Sequence, residues 1–308
     1  MAEFKFYTMK DNKPKNIKVQ LSNNELDKLK VAREKLLAVL KLEDLYDQII
    51  ESFLEFKSQL YSNSLSLVSN FRTDYNANHE IRSKLNRQLF NTLNLSKLYL
   101  DKSYREYRDK NGNITKIKSF VKKVTNDENL ELVVNKFREE IYLKSPGYGL
   151  GCALRNLTQH DTLPVQTYSV GINHDGSEDN RKMLAKFQLP LSKSNLLSCD
   201  IKPKVLSLFN ETIDLHKVMD EYIYSISQMH IKNRQLTEPT VENAQGLFLS
   251  KTKEIETIYG KNNYGIGVFE NNQKIFYLEL EWYEVVNYLQ QKHAVAIDYR
   301  NIEHSTYL

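Results

Sequence analysis

The chain has 308 residues, 41% hydrophobic and 27% charged, a balance typical of a soluble globular protein with one large domain or two modest ones. Lys and Arg number 43 against 39 Asp and Glu, so the net charge is +4 and any nucleic-acid binding requires a local basic patch. The sequence has no signal-peptide-like start, no run near the roughly 18 apolar residues of a membrane span, and only Cys152 and Cys199 as cysteines. We therefore expect a cytoplasmic protein without a membrane segment or disulfide framework.

Residues 1–21 contain two short runs of alternating apolar and polar side chains around the turn-like KDNKPKN, which predicts a β-hairpin. Ser22 and Glu25 then have the spacing of a helix capping box. Apolar residues at three- and four-residue steps predict three long helices: Leu26 to Tyr61, about Asn78 to Tyr107, and Glu128 to Leu143.

The KSPG sequence interrupts this helical pattern. Ser145 is a suitable cap and Pro146 a suitable first residue for a further helix. Residues 166–200 then have the composition of irregular or β-rich structure, with NHDGSEDN as a loop tip and MLAKFQLPL as a strand.

The last third begins with a helix predicted from about Pro203 to Lys232. One stripe of this helix is expected to face the core: Leu208, Thr212, Leu215, Met219, Tyr222, Ile226 and Met229. After Pro239 the pattern predicts a small α+β region, with a hairpin turning at ENNQ and a helix over WYEVVNYLQQ. The fold class is therefore mainly α, an antiparallel helical bundle with small β-hairpins and a short α+β tail.

The helix after Pro146 contains GYGLGCALRNLTQHDTLPV, residues 147–165, and has two different faces. At about 100° per residue, one arc contains Arg155, Asn156, Gln159 and His160, and the other contains Leu150, Leu154 and Leu157. An Arg fork matches phosphate oxygens, and His transfers protons near neutral pH. Because Asp161 falls on the apolar side and no carboxylate lies between Arg155 and His160, we expect metal-free cleavage of a phosphodiester, with no cofactor.

Acid–base cleavage normally uses two proton-transfer groups, and this helix has one His. A twofold homodimer with the two helices facing each other would supply two His and two Arg. In RNA, attack of the 2′-hydroxyl on the adjacent phosphate needs only proton transfer and charge stabilisation, so RNA is the expected substrate.

The segment RNLTQH, Arg155 to His160, resembles the R-N-x-x-x-H form of the R-x4–6-H motif of HEPN (higher eukaryotes and prokaryotes nucleotide-binding) domains. The resemblance implies a metal-independent endoribonuclease with its active site at a homodimer interface, acting as a toxin or antiviral defence effector. It implies catalytic roles for Arg155 and His160 and a supporting role for Asn156. An antitoxin or other regulatory partner is an expected consequence of such an activity.

The predicted organisation has three parts. Residues 1–21 form an N-terminal hairpin, residues 22–235 form the HEPN-like bundle with a β-rich insertion at about 166–200, and residues 236–308 form a small α+β region.

The stretch from Asp101 to Lys123 has eight Lys or Arg against three acids, with Tyr104 and Tyr107 interleaved. Such a composition is suited to binding an RNA backbone and stacking on its bases. A solvent-exposed helix end and loop would have the same composition. We therefore assign substrate binding to Gln159, Lys102, Arg105 and Arg108.

Other interpretations of these residues remain open at the sequence level. Arg155 and His160 also suit a helix end favoured by the helix dipole, and His160-Asp161 suits the HD pair of a metal phosphohydrolase, which would need further ligands such as His79. His216 and His230, on the predicted long helix, are better explained as hydrogen-bonded structural histidines. The alternative functions are a non-catalytic module that binds RNA, nucleotide or protein, and a purely structural bundle.

Overall fold

Helices dominate the structure, a computed structural model that describes residues 2–10, 13–69, 74–103, 105–108, 114–117, 119–160, 162–175, 182–199, 201–260 and 265–302. The helices within these ranges are α1 Asn23–Ser69, α2 Tyr75–Ser103, α3 Phe120–Thr125, α4 Glu128–Lys144, α5 Pro146–His160, α6 Lys193–Ser198, α7 Pro203–Leu206, α8 Leu215–Tyr259 and α9 Glu284–Lys292. Two 3₁₀ turns lie at Glu281–Tyr283 and Tyr299–Asn301. The expected mainly helical class is confirmed.

The strands pair antiparallel throughout the described ranges. They are β1 Ala2–Lys10, β2 Lys13–Leu21, β3 Arg105–Arg108, β4 Ile114–Ile117, β5 Ser169–Asp175, β6 Lys182–Gln188, β7 Pro190–Ser192, β8 Thr212–Asp214, β9 Ile266–Glu270 and β10 Gln273–Tyr277. One sheet has four strands in the order β10-β9-β1-β2, and three two-stranded ribbons pair β3 with β4, β5 with β6, and β7 with β8.

The chain forms two compact units that do not follow sequence order. One contains residues 1–44, 118–130 and 233–294, and the other contains residues 45–117, 131–232 and 295–308. Helices α1, α4 and α8 therefore each contribute residues to both units.

The first unit joins the two predicted hairpins into a single sheet. On β1, Phe4 pairs with Val19 of β2 on one side and with Val268 of β9 on the other. The N-terminus of α1 has the predicted capping box: the Ser22 backbone N–H donates to Glu25 Oε2 at 3.1 Å, and the Glu25 N–H donates to Ser22 Oγ at 3.3 Å. The two predicted hairpins thus belong to one four-stranded structure.

The second unit contains the antiparallel helix packing that positions the candidate site. Ser52 of α1 hydrogen-bonds Thr92 of α2 at 3.0 Å, and the buried His230 ring of α8 stacks on Tyr46 with centroids 3.8 Å apart. His230 Nδ1 and the Tyr99 hydroxyl share a hydrogen bond of 3.0 Å. His230 is therefore a structural core residue, as its position on the long helix predicted.

Two of the predicted helices have other limits in the structure. The helix expected to reach Tyr107 ends at Ser103, because residues 105–108 pair with residues 114–117 as β-strands. The helix expected from Pro203 is interrupted after Leu206 by β8 and resumes at Leu215, which leaves Leu208 72% exposed and Thr212 in a strand. The other five predicted stripe residues are buried.

Helix α8 also continues through Pro239 to Tyr259, where a change of structure was expected. A proline costs its helix one hydrogen bond. The carbonyl of Gln235 would have accepted that bond. Gln235 and Pro239 are both exposed, so water can hydrogen-bond to this carbonyl instead. Buried residues on the far side of the proline, including Phe248 and Ile255, stabilise the continued helix.

Candidate functional site on helix α5

Helix α5 begins at Pro146, as predicted, and presents two chemically different faces. Leu150, Leu154 and Leu157 are buried, whereas Asn156 and Gln159 are exposed. The aliphatic face anchors the helix in its unit, and the polar face remains accessible, in agreement with the predicted separation.

Two glycines bring α5 unusually close to α8. A Cβ on Gly147 would lie 2.5 Å from Glu221 Oε2, and a Cβ on Gly151 would lie 2.4 Å from Cδ2 of Tyr222. The Gly147 N–H donates to Glu221 Oε2 at 3.0 Å. These two glycines therefore seat α5 closely against α8.

Arg155 is held by the residue that follows it. Its Nη1 donates to Asn156 Oδ1 at 3.1 Å, and its Nε is buried with no hydrogen-bond partner among the described residues. The side chain is partly buried. Buried donors are normally satisfied, so this guanidinium has hydrogen-bonding capacity left for a ligand oxygen.

Further cations lie near this face and were not predicted. Arg138 of α4 approaches Tyr148 and Cys152, one turn before Arg155, and Lys97 of α2 contributes to the electrostatic field at Cys152. Within the described ranges, Arg138 Nε is also buried without a hydrogen-bond partner, while Lys97 pairs with Asp101 at 2.6 Å. Because these residues are distant in sequence and belong to different helices, no local motif identifies them.

The thiol of Cys152 does not have the properties of a nucleophile. Burial raises its pKa to about 11, although a hydrogen bond with Tyr148 and the nearby Lys97 and Arg138 lower it in part. A reactive cysteine requires a lowered pKa. Cys152 therefore remains protonated near neutral pH and serves as a small packing residue.

The C-terminal half of α5 is fixed against α2. Gln159 Nε2 donates to Asn94 Oδ1 at 2.8 Å. After the helix, Val165 exchanges two hydrogen bonds of 2.9 Å with the buried Asn86 side chain. The polar face of α5 thus has a fixed position relative to α2.

The structure locates only part of the predicted site. His160 is the last residue of α5, but its side chain lies outside the described part of the chain, as does Asp161. Lys102 is exposed in the last turn of α2. Arg105 and Arg108 have their backbones in β3, and their side chains likewise fall outside the described residues.

The other candidate histidines are placed as follows. His79 is exposed on α2, and His216 lies against the ion pair of Lys57 and Asp220, whose Nζ and Oδ1 are 2.8 Å apart. Burial raises the pKa of Asp220, although Lys57 opposes this effect. Among the described residues, no three His, Cys, Asp or Glu side chains form a metal-binding group, and none of the described helices is long and apolar enough to cross a membrane.

Comparisons of the chain with protein-family models, curated proteins and solved structures gave no match. The function is therefore inferred from the residues of α5 and the helices around it.

Proposed function

We propose that the chain is a metal-independent endoribonuclease of the HEPN type, in which Arg155 binds the scissile phosphate and His160 transfers protons. The observation that carries this proposal is the state of Arg155: a partly buried guanidinium, oriented by Asn156, whose buried Nε has no hydrogen-bond partner in the part of the chain that the structure describes. Partial burial strengthens a charge-assisted hydrogen bond to an anion, and phosphate oxygens match the planar donors of Arg.

The surrounding residues favour an anionic ligand. Arg138 and Lys97 contribute positive potential at Cys152, one turn before Arg155, while Gln159 and Asn156 supply neutral polar groups on the accessible side. A ligand carrying one negative charge per residue, such as RNA, suits this combination better than a neutral metabolite.

The reaction is an internal transesterification. His160 removes the proton of the 2′-hydroxyl, the 2′ oxygen forms a bond to phosphorus, and the bond from phosphorus to the 5′ oxygen breaks. A second His160 returns a proton to the departing 5′ oxygen, leaving a 2′,3′-cyclic phosphate and a 5′-hydroxyl. Arg155 stabilises the negative charge that develops on the phosphate oxygens.

The second His160 comes from a second copy of the chain, since each protomer has one His on this face. A twofold axis beside α5 would place both motifs at one composite site. An activity of this type requires control in the cytoplasm, which fits a toxin or antiviral defence effector restrained by an antitoxin or other regulatory partner.

The experiment is cleavage of a labelled single-stranded RNA by the full chain in EDTA. Arg155→Ala and His160→Ala should each nearly abolish cleavage, and Arg155→Lys should not restore it, because an ammonium lacks the planar fork. Lys41→Ala is the matched control, since it removes an exposed cation of α1 that belongs to the first compact unit, whereas α5 belongs to the second.

The products and the oligomeric state complete the test. The products should carry a 2′,3′-cyclic phosphate, a 2′-deoxy sugar at the scissile position should block cleavage, and sedimentation should show a homodimer. Full activity of His160→Ala, or a strict need for a divalent ion, would refute the mechanism. Tight RNA binding without cleavage would instead identify a non-catalytic module.

A further inference from the structure

A groove lies beside the candidate site, between the first half of α2 and the segment that follows α5. It has a volume of about 570 Å³. Its walls come from α2 between His79 and Phe90 and from the segment between Thr162 and Gln166. All of its lining residues belong to the second compact unit.

The two walls of the groove are tied together by hydrogen bonds. Asn86 exchanges two with the Val165 backbone, and Arg82 Nη1 donates to the Gln166 carbonyl at 2.8 Å. Asn86 and Val165 are both buried, so the two hydrogen bonds between them are protected from water. The groove is therefore largely formed before any ligand binds, which lowers the entropic cost of binding.

The chemistry of the lining favours a polyanion with exposed rings. Two arginines and a histidine contribute to the lining, and none of the lining residues is a carboxylate. The Phe90 side chain is 36% exposed, so its ring is accessible to a stacking partner. Cations that contact phosphates and aromatic rings that stack bases are the usual combination for single-stranded nucleic acid, whereas the bases of a duplex are already stacked.

The groove and the polar face of α5 share one surface of α2. Arg87, Phe90 and Asn94 follow one another at three- and four-residue steps, which places them on the same face of the helix. Asn94 is the residue that bonds Gln159, and it lies about 10 Å along the helix axis from Arg87. On the other wall, Thr162 is two residues beyond His160.

We propose that this groove binds the single-stranded RNA that flanks the scissile phosphate, with Arg87 contacting the backbone and Phe90 stacking on a base. The assignment rests on the proposed ribonuclease function for the identity of the polymer. It adds a substrate class, unpaired RNA, and two specificity residues that the motif of α5 does not contain.

The test measures binding rather than cleavage. A short fluorescein-labelled oligouridine is titrated with the full chain carrying His160→Ala, so that the RNA stays intact, and anisotropy is recorded at several salt concentrations. Arg87→Ala and Phe90→Ala are compared with Lys84→Ala, which removes an exposed cation of the same helix that does not line the groove. Circular dichroism checks that each variant is folded.

The two groove variants should weaken binding in different ways. Arg87→Ala should reduce the slope of log affinity against log salt by about 0.7, the value for one lost phosphate contact on a single strand. Phe90→Ala should weaken binding about tenfold and leave that slope unchanged, because stacking releases no counterions. Lys84→Ala should alter neither quantity.

The outcomes separate this proposal from the ribonuclease function. A chain that cleaves RNA, but whose Arg87→Ala and Phe90→Ala variants bind oligouridine as tightly as the parent, would refute the groove proposal and leave the ribonuclease function standing. A chain that cuts no RNA but shows the two expected groove effects would refute the nuclease and retain the groove. Equal affinity for the oligouridine and for an RNA duplex would also refute the proposal.

Discussion

The substitution Gly151→Ala tests the close packing of α5 against α8. A Cβ at this position would lie 2.4 Å from Cδ2 and 2.5 Å from Cγ of Tyr222. That ring cannot easily move, since Tyr222 is 1% exposed and stacks on Tyr148 with centroids 5.8 Å apart. The added methyl must therefore push the two helices apart.

Two effects of opposite sign determine the stability of Gly151→Ala. Replacing glycine by alanine inside a helix normally stabilises it by about 1 kcal/mol. Overpacking a rigid core costs about 1–3 kcal/mol, and here the contact is with the ring carbons of a buried tyrosine. We expect the steric effect to dominate, with a net loss of about 1–2 kcal/mol in the free energy of unfolding.

Urea unfolding followed by circular dichroism measures this difference. Gly246→Ala in α8 is the matched control, because a methyl group added there would meet no atom within 4 Å, and it should stabilise the protein by about 0.5–1 kcal/mol. In a Tyr222→Leu background, Gly151→Ala should cost less, since the ring is gone. Stabilisation by Gly151→Ala in the parent chain would refute the packing of α5 on α8.

Three further predictions concern stability. Leu157→Ala should cost about 2–5 kcal/mol in urea unfolding because this side chain is buried, and His160→Ala should cost less than about 1 kcal/mol; the reverse order would contradict the orientation of α5. Lys57→Met should cost about 3–5 kcal/mol because it removes the ammonium that pairs with the buried Asp220 carboxylate, and adding Asp220→Asn should recover part of the loss. Hydrogen bonds with Lys251 and then Ser22 lower the pKa of Glu25 from 4.5 to about 2, so its stabilising contribution is complete above pH 4.5 and disappears as the pH falls to about 2. Glu25→Gln should therefore show a smaller loss of stability over that interval, and an unchanged acid limb would contradict the assignment.

Structure specified by neighbouring residues was predictable. The turn at ENNQ joins β9 to β10, and Asn271 and Asn272 have φ values of 50° and 65°, the left-handed conformation that Asn tolerates well. The capping box at Ser22 and the start of α5 at Pro146 likewise depend on a few adjacent side chains.

Structure specified by distant contacts was not predictable. The pairing of β1 with β9 depends on residues far apart in the chain, and alternating polarity does not say which strand is the neighbour. At Pro239 the local preference against helix is outweighed by burial on both sides.

The same division applies to the candidate site. The two faces of α5 follow from its own sequence, because helical periodicity fixes which residues share a face. The contributions of Arg138 and Lys97 arise only when α4 and α2 pack beside it. Sequence periodicity therefore identified the motif but not the cations that surround it.

The sheet formed by β1, β2, β9 and β10 constrains how the protein is made. Strand β1 cannot pair with β9 until Val268, the partner of Phe4, has been synthesised. At about 5–20 residues per second, the ribosome needs roughly ten to fifty seconds to synthesise the intervening chain. During that time the free edge of β1 is a template for pairing with other nascent chains. The yield of folded protein in a cell should therefore depend on how quickly the last part of the message is translated.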